Sequence, residues 1–319
     1  MIDPLIQFRS HLIPQDRKIL DASCILTSAI RGYVLTMTVP ASLAPIRALS
    51  TNLPSSLSLI SRLSCRRAGT RFNARGIDDD GNVANFVETE TVYWHASGLC
   101  FSYAQIRGSV PVFWEQATGL LPNQQKIQIT RSPEATQPAF DKHIEELELS
   151  YGTIHVLNLL SESKPGEVEL TARYKYHIRR SPLNNSHPGG VLSDHLLLKD
   201  SQFDFHAETR GSYEAASQVR RLIQNDADGF AYYLSTVVED VDPRTQRSLR
   251  RAAVVLQQEG VFRTNCLDCL DRTNLIQTII SQMAVESFLG YQGEKAPPDF
   301  WMRHSTLWAD NGDVCGNCI

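Results

Sequence analysis

Apolar and polar residues alternate most clearly over residues 82–94, where Val83, Asn85, Val87, Thr89 and Thr91 share one face of an extended chain. A period of two predicts a half-buried strand, because successive side chains point to opposite faces. Residues 59–64 predict another strand, and 101–113 contain one that breaks at Gly108 and Pro111. Residues 154–160 are apolar except for His155 and Asn158, the pattern of a strand buried on both faces. Residues 203–208 and 260–265 read as short strands. Elsewhere the period lengthens. Phe140, Ile144, Leu147 and Tyr151 make one helical stripe of core residues over 136–151. Residues 213–234 read as mostly helical. Leu275, Ile279 and Met283, flanked by Ile276, Ile280 and Ala284, predict a helix over 271–288.

Between these elements lie turn signals. Residues 78–81, Asp-Asp-Asp-Gly, predict a tight turn, and 181–194, rich in Pro, Asn, Ser and Gly, a surface loop. The first sixty residues look weakly organised, with Pro40, Pro45 and Pro54 interrupting apolar stretches such as 25–39. No internal repeat, heptad run or low-complexity tract is present. Strands interleaved with helices, several of them apolar on both faces, predict an α/β fold.

Composition narrows the function classes. The 319 residues are 42% hydrophobic and 21% charged, enough apolar material for a sizeable core. A net charge of −4 argues against a general nucleic-acid binder, which needs a basic surface to displace counterions. Any anionic ligand must then be met by a local basic site. No run of about 18 apolar residues predicts a transmembrane helix, and residues 1–18 lack the order of a signal peptide. Seven cysteines, unevenly spread, do not resemble a disulfide framework, and a reducing compartment is expected. Thiol chemistry is then available.

The chemistry concentrates in Arg263-Thr-Asn-Cys-Leu-Asp-Cys-Leu-Asp-Arg-Thr-Asn274, between the strand at 260–265 and the helix at 271–288. A loop entering a helix N-terminus points several backbone N–H groups at one spot, and the helix dipole adds positive potential there. A phosphate monoester suits that cradle. So does a thiolate, since a cysteine at such a position has a lowered pKa and is nucleophilic near neutral pH. Cys266 is the candidate nucleophile. Arg272, six positions on, supplies a planar fork that grips two phosphate oxygens and stays charged. The expected reaction is attack of Cys266 on phosphorus, followed by hydrolysis of the phosphocysteine. Asp268 and Asp271 are candidates for the acid that protonates the leaving oxygen. Like-charge repulsion beside the thiolate favours a protonated Asp268, whereas Asp271 reads better as a structural cap. Asn265, Leu267, Cys269, Leu270, Asp271 and Thr273 complete the expected phosphate-binding loop, with Thr273 and Asn274 tying it to the helix. No metal or other cofactor is required.

The twelve-residue string resembles the signature of the Sac-domain phosphoinositide phosphatases. Other segments resemble that family's landmarks: Arg67-Ala-Gly-Thr-Arg-Phe-Asn73, the stretch from Arg75 to Glu90, Gln105-Ile-Arg-Gly-Ser109 and Phe203-Asp-Phe-His206. The wording at residues 135–142 and 206–210 is most similar to fungal synaptojanin-like proteins. The resemblance implies a Sac-type cysteine phosphatase catalytic domain with a mixed central sheet flanked by helices, over residues 59–319. Residues 1–58 would then be a remnant of the β-rich N-terminal Sac subdomain. It carries the nucleophile over to Cys266, the phosphate-binding arginine to Arg272 and an acid to Asp268. It also implies a phosphoinositide lipid substrate at a membrane surface, phosphatidylinositol 4-phosphate first among them, and a cytoplasmic location, peripheral on endomembranes. After Leu307-Trp-Ala-Asp-Asn-Gly-Asp313 the sequence leaves the family pattern, so a Sac module truncated at both ends is expected, without an inositol 5-phosphatase domain.

Two other functions compete with this one. The same loop would serve a phosphoprotein phosphatase, and an inactive or unstable Sac-domain fragment would act at most as a binding module. Single residues carry plainer expectations. Cys269 reads as packing, with a resolving thiol for Cys266 as the alternative. Cys315-x-x-Cys318 with Cys266-x-x-Cys269 reads poorly as a zinc site, because the first pair sits where a phosphate loop needs it. Arg62, Arg66, Arg67, Arg71 and Arg75 are read mostly as structural partners for residues 78–80, Glu88 and Glu90, against a headgroup-binding alternative. His206 is expected to be a satisfied core histidine and not a base.

Overall fold

The computed structural model describes residues 12–23, 31–46, 53–67, 74–117, 126–184, 196–210, 212–241, 248–265, 267 and 271–317. Among them the main sheet has nine strands and divides into two halves. In one half β1 (Gly32–Val39), β2 (Ser55–Leu63), β3 (Val87–His95) and β4 (Cys100–Gly108) pair antiparallel in chain order. In the other, β11 (Gly260–Asn265) inserts between β4 and β7 (Thr153–Asn158), parallel to both, and β8 (Leu198–Gln202) lies parallel to β7. A hairpin of β9 (Tyr233–Val241) and β10 (Ser248–Leu256) hangs on the start of β4. β5 (Trp114–Ala117) and β6 (Lys126–Ile129) form a separate hairpin. The fold is thus mixed α/β with a central mixed sheet flanked by helices, as the sequence predicts.

The helices are α1 (Pro14–Ala22), α2 (Pro133–Tyr151), α3 (Pro165–Arg180), α4 (Phe205–Thr209), α5 (Val219–Phe230), α6 (Asp271–Tyr291) and α7 (Pro298–Asn317). α2 begins where Ser132 accepts the Ala135 amide and Pro133 fills the first helical position, and it ends at Gly152, whose φ of +78° suits glycine. One core packs β1–β4 against α5, α6 and α7. A second sets Ile106, Val156 and Val261 of β4, β7 and β11 against Phe140, Ile144 and Leu147 of α2 and Leu170 and Tyr174 of α3. Fully burying one such aliphatic or aromatic side chain contributes roughly 1.5–3 kcal/mol, which outweighs the weak local propensities of these short strands.

Three expectations need correction. The alternating strand starts at Val87 and not at 82: Asn85 sits in a turn at φ +54°, and Val83 makes only an isolated bridge to Ile77. Residues 203–208 are not a strand. Asp204 accepts the amides of His206 and Ala207, capping the short helix α4. The stretch 213–234 splits into a 3-10 turn (Tyr213–Gln218), α5 and the first residues of β9. The sequence reading also missed α3, α7, the β9–β10 hairpin and β1, which forms within the run at 25–39.

The basic run behaves structurally where it is described. Arg62 bridges Glu88 and Glu90 on the neighbouring strand at 2.9 and 2.6 Å, Arg66 pairs with Glu146, and Arg75 donates to Gln116. The acids at 78–80 find other partners than expected: Asp79 pairs with Arg131 and Asp80 with Lys142. Arg71 and most of the loop at 181–194 lie outside the described residues.

Candidate active site

Four parallel strands, β4, β11, β7 and β8, end on the same side of the sheet, and the segments after β11, β7 and β8 carry polar side chains. Open α/β sheets bind ligands in the crevice outside the carboxyl ends of their strands. After β11 comes the Cys-x5-Arg loop, after β7 the turn 159–164 leading into α3, after β8 the residues 203–206, and after β4 Ser109.

β11 is buried along its whole length, and the Leu159 amide donates to the Asn265 carbonyl at 3.0 Å, which aligns the ends of β7 and β11. Beneath them the Asn158 amide group donates to Thr171 and Gln202, and Gln202 donates to the Leu160 carbonyl. Two buried arginines lie at this level. Arg263 donates to the Ser109 carbonyl at 3.0 Å and contacts His143 Nε2 at 3.3 Å. Burial, with the Arg263 charge beside it, pushes the His143 imidazole well down, so it is a neutral acceptor. Arg107, the penultimate residue of β4, is fully buried, and its three guanidinium nitrogens have no hydrogen-bond partner among the described residues. Cations held near these strand ends in a medium of low dielectric favour an anion nearby.

Of the loop itself, Cys266, Asp268, Cys269 and Leu270 lie outside the described residues, as do the side chains of Cys315 and Cys318. Asn265 is fully buried. Leu267 packs into the second core, with Ile106 and Trp114, and anchors the loop. Asp271 opens α6 and is exposed. Thr273 is buried, with no hydrogen-bond partner for its hydroxyl among the described residues. Asn274 departs from the expectation that it ties loop to helix. Its side chain donates to the Trp308 carbonyl at 2.7 Å and accepts from Asn311 at 3.0 Å, so it locks α6 to α7.

Arg272 is 19% exposed and lines a groove of about 570 Å³ together with Leu267, Lys164, Glu167, Gln116 and Lys126. Its Nη1 lies 3.9 Å from Glu167 Oε2 and 3.4 Å from His206 Nε2. Glu167, only 4% exposed, accepts the Ser161 amide at 2.6 Å and faces Lys164 at 3.6 Å. A buried carboxylate beside the guanidinium orients it without burying it. His206 overturns its expected role: it is exposed, and its Nε2 lies 3.1 Å from Lys164 Nζ as well as near Arg272. Partial burial, then Lys164 and Arg272, push its imidazole below the usual histidine range, outweighing Glu167 and Asp204. Burial works against the Asp204 carboxylate, but the amides of Glu162, Ala207 and His206 and the Ser161 hydroxyl outweigh it and hold it below the usual carboxylate range. The strand reading of 203–208 concealed this cluster, and β8 before it was not read from the sequence.

The SacI homology domain profile matches residues 2–210. The chain belongs to this family. Among curated Sac relatives it is 44% identical over 314 residues to "Inositol-1,4,5-trisphosphate 5-phosphatase 1" of Schizosaccharomyces pombe. It is also 44% identical over 319 residues to "Polyphosphatidylinositol phosphatase INP53" of Saccharomyces cerevisiae. Each alignment covers 98% of this chain and 26% of the relative, so the chain spans about a quarter of the length of these proteins. Rat synaptojanin-1 is 38% identical over 262 residues, 80% of this chain and 15% of its own length. The Sac and synaptojanin-like resemblance read from the motifs is thereby shown. Among the described residues no helix is long and apolar enough to cross a membrane.

Proposed function

We propose that this chain hydrolyses phosphate monoesters of phosphatidylinositol phosphates, phosphatidylinositol 4-phosphate first among them, through a phosphocysteine on Cys266. The observation that carries the reading is Arg272, set beside the buried Glu167 at the groove where four parallel strands end. The name of the budding-yeast relative, a polyphosphatidylinositol phosphatase, supports the substrate class.

In this reading the Cys266 thiolate attacks phosphorus while Arg272 grips the equatorial oxygens, whose charge grows in the transition state. The loop amides of Asn265, Leu267, Cys269, Leu270, Asp271 and Thr273 surround the phosphate, and the start of α6 adds its dipole. Asp268 protonates the leaving inositol oxygen. Water then cleaves the S–P bond and frees the thiolate and phosphate. Residues 59–319 carry this chemistry, and residues 1–58 contribute β1 at the sheet edge. The chain acts peripherally on the cytosolic face of endomembranes, where its lipid substrate lies.

The test is phosphate release from short-chain phosphatidylinositol 4-phosphate by the parent and by Cys266→Ser. Release by the parent and none by the variant is expected. Equal release by both removes the thiol mechanism, and no release from a cooperatively melting parent removes the lipid assignment.

A further inference from the structure

Hydrolysis of a phosphocysteine needs a group that takes a proton from the attacking water. We propose that His206 is that base, an assignment that rests on the thiol reading above. Its Nε2 lies 3.4 Å from Arg272 Nη1 and 3.1 Å from Lys164 Nζ. Both of those nitrogens are donors only, so Nε2 presents its lone pair to the site and Nδ1 carries the hydrogen. A guanidinium that grips phosphoryl oxygens turns its N–H groups toward them. With a phosphocysteine in the loop, the Arg272 bond to His206 loosens. Because Nε2 lies 3.4 Å from Arg272 Nη1, a phosphoryl group gripped by Arg272 stands near that lone pair.

The surroundings suit a base more than an acid. Lys164 at the entry to α3 and Arg272 on α6 are the cations facing the ring, while Glu167 of α3 and Asp204 before α4 are the acids. Partial burial, with these cations, outweighs the acids, and His206 stays neutral near neutral pH, ready to accept a proton and to lose it again to solvent. Asp204 anchors the residue through its backbone: its Oδ1 accepts the His206 amide at 3.0 Å, and its Oδ2 the Glu162 amide at 2.7 Å. The imidazole itself holds no buried element together, so its removal leaves the fold in place.

Water oxygen forms the bond to phosphorus as its proton passes to Nε2, the P–S bond breaks, and its electron pair returns to Cys266 as thiolate. Inorganic phosphate leaves, and the imidazolium gives its proton to bulk water. Asp268 serves the first half-reaction and His206 the second.

The experiment compares the parent with His206→Ala and His206→Gln on two substrates, para-nitrophenyl phosphate and short-chain phosphatidylinositol 4-phosphate carrying radiolabelled phosphate. Both variants are expected to keep the parent's Tm. Steady-state turnover is expected to fall about 10²-fold, the usual worth of a general base. The first turnover survives, seen as a burst of about one equivalent of nitrophenolate and as label retained on denatured protein. Added imidazole restores turnover in His206→Ala. A burst lost in step with turnover, or turnover at the parent's level, overturns the assignment and leaves His206 as at most a support for Arg272. If Cys266→Ser releases phosphate like the parent, the thiol reading falls and takes this one with it. If Cys266→Ser is inactive and His206→Ala shows no burst, only the base assignment falls.

Discussion

The two halves of the sheet are built on different terms. In the antiparallel half, β3 buries alternate residues, Val87, Thr89, Thr91 and Tyr93, against α6 and α7, while its other face stays partly open, with Trp94 45% exposed. β1 at the edge leaves Val34 65% exposed. In the parallel half, β7 is buried from Ile154 to Asn158 and β11 throughout, because helices cover both faces. The parallel half gathers the ends of β11, β7 and β8 beside that of β4 in one crevice, and there Arg272, Glu167 and His206 meet. The antiparallel half reaches the site indirectly, by gripping the helix that carries Arg272. Ser61 of β2 donates to Asn311 of α7, and Asn311 donates to Asn274 of α6. Thr91 of β3, Ser281 of α6 and His304 of α7 form a second chain of hydrogen bonds. One half supplies chemistry and the other holds its geometry.

The largest effect that would sharpen this division is expected at Arg272. Arg272→Lys keeps the charge but loses the planar fork. Phosphate release should fall about 10²–10³-fold, the range seen when one preorganised donor to a transition state is lost. Lysine keeps the charge beside Glu167, so Tm should stay within about 2 °C of the parent. A variant retaining half the parent's activity would detach Arg272 from catalysis, and a large loss of Tm would make it part of the frame.

How legible each half was in the sequence follows from the same physics. Alternation announced β3, and a continuous apolar run announced β7, because each pattern reflects how many faces are covered. β1 was missed because its burial is incomplete and Pro40 and Pro45 follow it closely. The Cys-x5-Arg string stood out in the sequence because charged and thiol side chains concentrate in one short stretch. The partners of Arg272 did not. Glu167 and His206 lie 105 and 66 positions away in sequence, and only the parallel order β11-β7-β8 brings them together. His206 was misread outright, since aromatic neighbours at 203 and 205 suggested a strand where Asp204 in fact caps a helix.

A pH titration of stability tests whether both halves are closed to water. His177 of α3 backs the parallel half, and burial, followed by the charges of Arg173 and Arg180, lowers it to about 4. His304 of α7 backs the antiparallel half, and burial lowers it to about 4. The unfolded chain binds these protons near pH ~6.5. Above that value neither state is protonated and the histidines contribute nothing to the pH dependence. As pH falls from about 6.5 to about 4, the unfolded state takes protons that the folded state refuses, and stability declines, by up to about 2–3 kcal/mol per histidine. Urea unfolding between about pH 7.5 and about pH 4.5 measures the slope. His177→Gln and His304→Gln should each remove part of it. A slope unchanged by His304→Gln would mean that water reaches the antiparallel core.

The smallest expected effect isolates the clamp between the halves. Asn274 accepts from Asn311 and donates to the Trp308 carbonyl, both in buried or part-buried surroundings. Asn274→Ala strands an acceptor and a donor, and Asn311→Ala strands the Asn274 carbonyl and leaves the Ser61 hydroxyl with Thr89; each should cost about 1–3 kcal/mol. Because the two share one hydrogen bond, the double variant should be less destabilised than the sum, with a coupling of about 0.5–1.5 kcal/mol. The informative readout is paired with kinetics. If α7 holds α6 in register for Arg272, Asn311→Ala should raise KM for the lipid at a temperature where the variant is fully folded, although Asn311 lies outside the groove. Additive stabilities with unchanged KM would show that the antiparallel half is a passive cover for the core, and the division of labour between the halves would then rest on Arg272 and its two partners alone.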